Sequence, residues 1–164
     1  MTDIERVLCI AQSLDWVREN GVNKGDAIRE MLRLTGLPEG HPWCAAFVAH
    51  CGHRGSADWP LPMTAGCAVL GSAAEKQKLL KTEPAVGAVF LLYYPSMKRF
   101  AHTGFCVAKN ADGSWTTIEG NTNPGGGREG YGVFARTRSW SDKDRFIWWW
   151  PSSPSSAGGA PAPA

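Results

Sequence analysis

From Asp3 to Glu19, apolar residues recur at steps of three and four: Ile4, Val7, Leu8, Ala11, Leu14 and Val17. That spacing gathers them on one stripe of a helix and predicts an amphipathic helix along the whole segment. After Asn20-Gly21, the residues Ile28, Met31, Leu32 and Leu34 predict a second helix from about Lys24 to Thr35, which Gly36 can end in the left-handed region. Pro38, Gly40 and Pro42 mark a loop. Pro42 in front of WCAAFVAH then starts a third helix, which Cys44 opens and which stops near Gly52 or Gly55. Beyond Trp59, Pro60 and Pro62 break the chain, and the small residues from Thr64 to Leu80 specify only a short, loose helix.

From Val86 onward the period changes to that of strands: VGAVFLLYY, HTGFCVAK, SWTTIEG, YGVFARTR and RFIWWW, separated by turn-forming residues. They predict an antiparallel sheet of about five strands. Helices followed by strands make an α+β fold with the helices packed on one side of the sheet.

Composition and charge narrow the picture. A chain of 164 residues that is 43% hydrophobic can build one core, assigned to a single domain over residues 1–150. The remainder, 151–164, holds only Pro, Ser, Ala and Gly and reads as a disordered tail. Lys and Arg number 17 against 15 Asp and Glu, with no basic stripe, so a nucleic-acid partner is not expected. The first twenty residues lack the basic and apolar regions of a secretion signal, and the longest apolar runs reach about half a membrane span. The expectation is a chain made in the cytoplasm, without membrane insertion.

Five cysteines, at positions 9, 44, 51, 67 and 106, form an odd set, so at least one thiol stays free. Cys9, Cys51, Cys67 and Cys106 stand among apolar neighbours and read as small hydrophobes. Cys44 differs, because a thiol in the first turn of a helix faces unpaired N–H groups and the positive end of the helix dipole, which favour the thiolate. The same N–H groups can hold an oxyanion. A cysteine nucleophile needs a base, and His102, at the start of a strand, is the best of the four histidines. His50 and His53 lie too far along the helix that carries Cys44 to reach its first turn. His41, three residues before Cys44, can reach the site as a substrate contact, and Trp43 is a candidate stacking surface. The next strand ends in Glu119-Gly120-Asn121, where either flanking side chain can accept a hydrogen bond from the imidazole. Strand alternation puts Glu119 and Asn121 on one face, one to orient His102 and the other to line the site. His41, Cys44, His50, Cys51 and His53 are also possible metal ligands, but they match no paired spacing, and no metal or cofactor is expected.

In order, PWCAAFVAHC, HTGFCV and IEGNTN resemble the CHAP domain, the cysteine, histidine-dependent amidohydrolases/peptidases, over roughly Leu37 to Trp150. The NlpC/P60 and papain-like folds are its broader relatives. The resemblance implies a peptidoglycan hydrolase in which Cys44 attacks an amide carbonyl, His102 moves the proton, and Glu119 with Asn121 orients His102. The bond would be the one between muramic acid and L-alanine, or one within the stem peptide or cross-bridge. Implied settings are a phage endolysin or an antibacterial effector that reaches the periplasmic wall after release, with a holin, a secretion machine or an immunity protein as partners and a monomeric state. Calcium-binding relatives carry an Asp-rich loop before the nucleophile, where this chain offers only Glu39. A catalytically silent wall-binding module of the same fold is the alternative. The NTNPGGGREG segment, with Arg128 near a possible groove edge, reads first as a hairpin connection.

Overall fold

A computed structural model describes residues 1–125 and 130–151. Residues 152–164 of the proposed tail and Arg128 therefore lie outside the described residues. Four helices come first: α1 (Asp3–Ser13), α2 (Asp26–Leu34), α3 (Cys44–Gly55) and α4 (Cys67–Lys76). Six strands follow, β1 (Leu80–Lys81), β2 (Val89–Tyr94), β3 (Arg99–Lys109), β4 (Trp115–Thr122), β5 (Gly132–Arg138) and β6 (Arg145–Ile147). They form one antiparallel sheet in the order β1-β6-β2-β3-β4-β5. The α+β architecture is the expected one, with one strand more than the five predicted. That strand is Leu80–Lys81, two residues paired on β6 at the sheet edge, too short to show a period.

Helix α1 begins in a capping box, with Glu5 N–H donating to Thr2 Oγ1 at 3.2 Å and Thr2 N–H donating to Glu5 Oε2 at 2.7 Å. It ends at Ser13 and not at Glu19, although Leu14 and Val17 continue the helical spacing. The reason is tertiary: Val17 O accepts from Val133 N–H at 3.1 Å, and Glu19 N–H donates to Tyr131 O at 2.7 Å, so this segment lines the open edge of β5. Bound there, its backbone groups make sheet bonds that a longer helix would forfeit.

The main core fills the space between the helices and the sheet, with Val7, Phe47, Leu70, Leu91, Phe105 and Ile118 among its buried members. Helix α3 lies against β3 and β4 and touches α1, α2 and α4, so it is central to the helical layer. A smaller cluster, Ala88, Phe90, Cys106, Trp115 and Phe146, forms a second apolar centre flanked by Trp140, Trp148 and Trp150. In the Trp run, Trp149 is buried against Trp59 with ring centroids 4.7 Å apart, while Trp148 and Trp150 are half-buried and stack on each other. Among the described residues no helix is long and apolar enough to cross a membrane.

Candidate active site

Cys44 is the first residue of α3, as its position behind Pro42 implies. Cys44 is 4% exposed and lines a cleft of about 630 Å³ together with His41, Cys67, Arg99, His102 and Asn121. His102 enters from β3 and pairs across the strands with Leu92. Its Nε2 lies 2.7 Å from Glu119 Oε1, which leaves Nδ1 for the Cys44 thiol. The thiol, the imidazole and the carboxylate thus form one hydrogen-bonded line from α3 through β3 to β4.

Glu119 has no exposed surface, and an ionised carboxylate in that position needs every lone pair answered. It has four donors. His102 Nε2 and Arg138 Nη2 serve Oε1, the latter at 2.6 Å, while Arg138 Nε at 2.8 Å and the Thr117 hydroxyl serve Oε2. Burial pushes this carboxyl group up, but the hydrogen bonds from Arg138 and His102 outweigh it and bring the pKa down to about 2. Two glycines make the packing possible. A Cβ at Gly104 would stand 2.9 Å from Glu119 Cγ and 2.8 Å from the Phe90 ring, so the missing side chain leaves room for the carboxylate. A Cβ at Gly120 would stand 2.6 Å from Phe47 Cβ, where α3 presses on β4.

The structure departs from plain strand alternation at Asn121. The register of β4 against β5 shifts between Glu119 and Thr122, and Asn121 adopts φ 52°, in the left-handed region that Asn tolerates. Glu119 therefore turns to His102, whereas Asn121 lines the cleft. His41 is exposed on the cleft wall. Trp43 requires a correction: its side chain is fully buried, and its indole Nε1 donates to Glu19 Oε1 at 2.9 Å, so it anchors the start of α3 and offers no face to a substrate.

Two further site residues come from the tertiary structure. Arg138 stands on β5, and the strand's pattern does not distinguish it from Arg136, which instead donates to Thr122 Oγ1 and to Asn123 O. Cys67 is the other, with its Sγ 3.6 Å from that of Cys44. It is not a plain core residue, and Cys9, also read as a small hydrophobe, is exposed; Cys51 and Cys106 are buried. The one available sequence signal was Gly66 before Cys67, which makes Cys67 the first residue of α4 as Cys44 is of α3.

The electrostatics favour an ionised nucleophile. The hydrogen bond from Cys67 holds the Cys44 thiol well below its ordinary range against the opposing effect of burial, helped by His102 and by the Ala45 N–H. The Cys67 thiol is pushed well above its own range by the same contact. For His102, burial acts downward, but the Cys44 and Glu119 hydrogen bonds prevail and raise the pKa to about 9. The arrangement therefore supports a thiolate beside an imidazolium at neutral pH, the charge state a cysteine hydrolase needs. Among the described residues, no group of three or more His, Cys, Asp or Glu side chains is arranged to hold a metal ion.

Residues 36–121 match the CHAP domain, a span that runs from the loop before α3 to Asn121. No curated protein and no solved structure matches the chain.

Proposed function

Since this chain belongs to the CHAP domain family, whose members are generally cysteine- and histidine-dependent hydrolases, we propose that it cleaves an amide bond of peptidoglycan. The bond is that between muramic acid and L-alanine, or one within the stem peptide, and the setting is a phage endolysin or an antibacterial effector acting at the cell wall. The observation that carries the proposal is the Cys44–His102–Glu119 line opening on the cleft.

In this reading the Cys44 thiolate attacks the carbonyl carbon, and the negative charge that develops on oxygen faces the N–H groups at the start of α3. His102, protonated at the outset, gives its proton to the departing amine. It then takes one from the water that hydrolyses the thioester. Glu119 is a positioning residue that holds the ring by Nε2 so that Nδ1 meets the thiol. Arg138 keeps Glu119 ionised and fixed. Asn121 and His41 contact the substrate from the cleft wall. Arg99 supplies positive charge to a cleft that has no carboxylate of its own among the described lining residues, which suits the carboxylates of a stem peptide.

Purified full-length chain and Cys44→Ala are to be incubated with peptidoglycan sacculi, and the released fragments analysed by mass spectrometry. Wild type alone should release fragments, with peptide-free glycan identifying an amidase and divided stem peptides an endopeptidase. Equal release by Cys44→Ala would refute the cysteine mechanism, and no release by either would refute the substrate.

A further inference from the structure

Cys44 and Cys67 bring two sulfur atoms within 3.6 Å at the meeting point of two helix starts. Hydrolysis needs one thiol. The second is not filler in the core, because both residues line the cleft and keep a trace of exposure there, 4% for Cys44 and 5% for Cys67. Neither is in a disulfide. A covalent S–S bond is about 2.05 Å long, so the two sulfurs must approach by about 1.5 Å, which side-chain rotation can supply in part. Of the other cysteines, Cys51 and Cys106 are buried with their thiols pushed up by desolvation, which keeps them protonated and unreactive. Cys9 lies exposed on α1.

We propose that Cys44 and Cys67 are an oxidative modification site, in which a small hydroperoxide reacting in the cleft joins them in a reversible disulfide that switches the hydrolase off. The Cys44 thiolate attacks the terminal oxygen of the hydroperoxide, so that an S–O bond forms, the O–O bond breaks, and the departing alkoxide takes the proton of the His102 imidazolium. Cys44 is then a sulfenic acid. The Cys67 sulfur next attacks the Cys44 sulfur; the S–S bond forms, the S–O bond breaks, and hydroxide leaves with the proton of Cys67 as water, passed on by the now neutral His102. Two thiols lose two electrons, and the hydroperoxide gains them as it becomes an alcohol and water. Ionisation of Cys44 and its contact with His102 supply the nucleophile and the first proton, so the groups that equip the site for amide hydrolysis also equip it for this step. The disulfide removes the nucleophile while sparing Cys44 from irreversible sulfinic acid.

The test uses the full chain without reductant, treated with hydrogen peroxide and mapped by mass spectrometry after alkylation of the remaining thiols. The expected result is a linked peptide joining Cys44 to Cys67 and loss of iodoacetamide labelling at Cys44, both reversed by dithiothreitol. In Cys67→Ser the same treatment should leave a Cys44 sulfenic acid that dimedone traps and that a higher dose carries to sulfinic acid beyond rescue. Absence of the linked peptide in wild type would overturn the proposal, as would a disulfide joining Cys44 to any other cysteine. None of these readouts needs a substrate. A chain that forms the disulfide but releases nothing from sacculi refutes the peptidoglycan reading alone, and one that cuts sacculi without forming it refutes this proposal alone.

Discussion

His102 is the residue on which both the charge state and the pH response of the site depend. Its pKa of about 9 keeps the imidazolium beside the thiolate through neutral pH, and the pair is lost when the imidazolium deprotonates. The kcat/KM profile should therefore fall on the alkaline side with an apparent pKa of about 9. In Glu119→Gln, which removes the carboxylate supporting the charged ring, that limb should move toward acid and kcat should drop by about 10²-fold or more. An alkaline limb that stays in place would show that Glu119 does not control the protonation of His102. Both shifts stabilise the fold, with opposite dependence on pH. The raised pKa of His102 contributes stability that is complete below about 6.5 and is lost as pH rises through about 9. The lowered pKa of Glu119 contributes stability that is present above its ordinary 4.5 and is lost as pH falls toward about 2.

At the scale of elements, the site depends on how closely α3 approaches β4. Gly120 lies between Glu119 and Asn121, and any Cβ there would run into Phe47, with Trp43 Cζ3 only 2.9 Å away. Both aromatic residues are fully buried and belong to the part of the chain that carries Cys44. Gly120→Ala should therefore lower stability by about 1–3 kcal/mol. In urea denaturation this would appear as a lower midpoint at unchanged slope. Activity well below the transition should also fall, since α3 must move away from the strand that holds Glu119. An unchanged midpoint would mean that the contact is soft enough to absorb a methyl group.

The whole molecule supplies the cleft, since no single element carries it. Helices α3 and α4 bring the thiols, β3 brings Arg99 and His102, and β4 brings Asn121, with His41 on the loop before α3. Arg99 is exposed, so its pairing with a substrate carboxylate is worth less than about 1.4 kcal/mol. Arg99→Gln should raise KM by about three- to tenfold with little change in kcat, an effect that added salt reduces. On a stem peptide whose carboxylates are amidated, wild type and variant should have the same KM. A loss confined to kcat would instead place Arg99 in the chemistry.

Much of this arrangement is local and was readable as such. The spacing of three and four in α2, the proline before Cys44 and the alternation from Val86 onward each act within about ten residues, so the order of elements and the α+β class follow from sequence. The order Cys, His, Glu on helix, strand and strand is legible for the same reason, and it brought the CHAP resemblance with it. What depends on residues far apart was not legible. Pairing with β5 ended α1 at Ser13, core packing took Trp43 away from the cleft, and the fold decided which of Glu119 and Asn121 holds His102 and which lines the cleft. The contacts of Arg138 with Glu119 and of Cys67 with Cys44 join positions 19 and 23 residues apart on different elements. Patterns along a chain report which face of an element is apolar, whereas a thiol beside a thiol or a guanidinium beside a carboxylate exists only after the faces have packed.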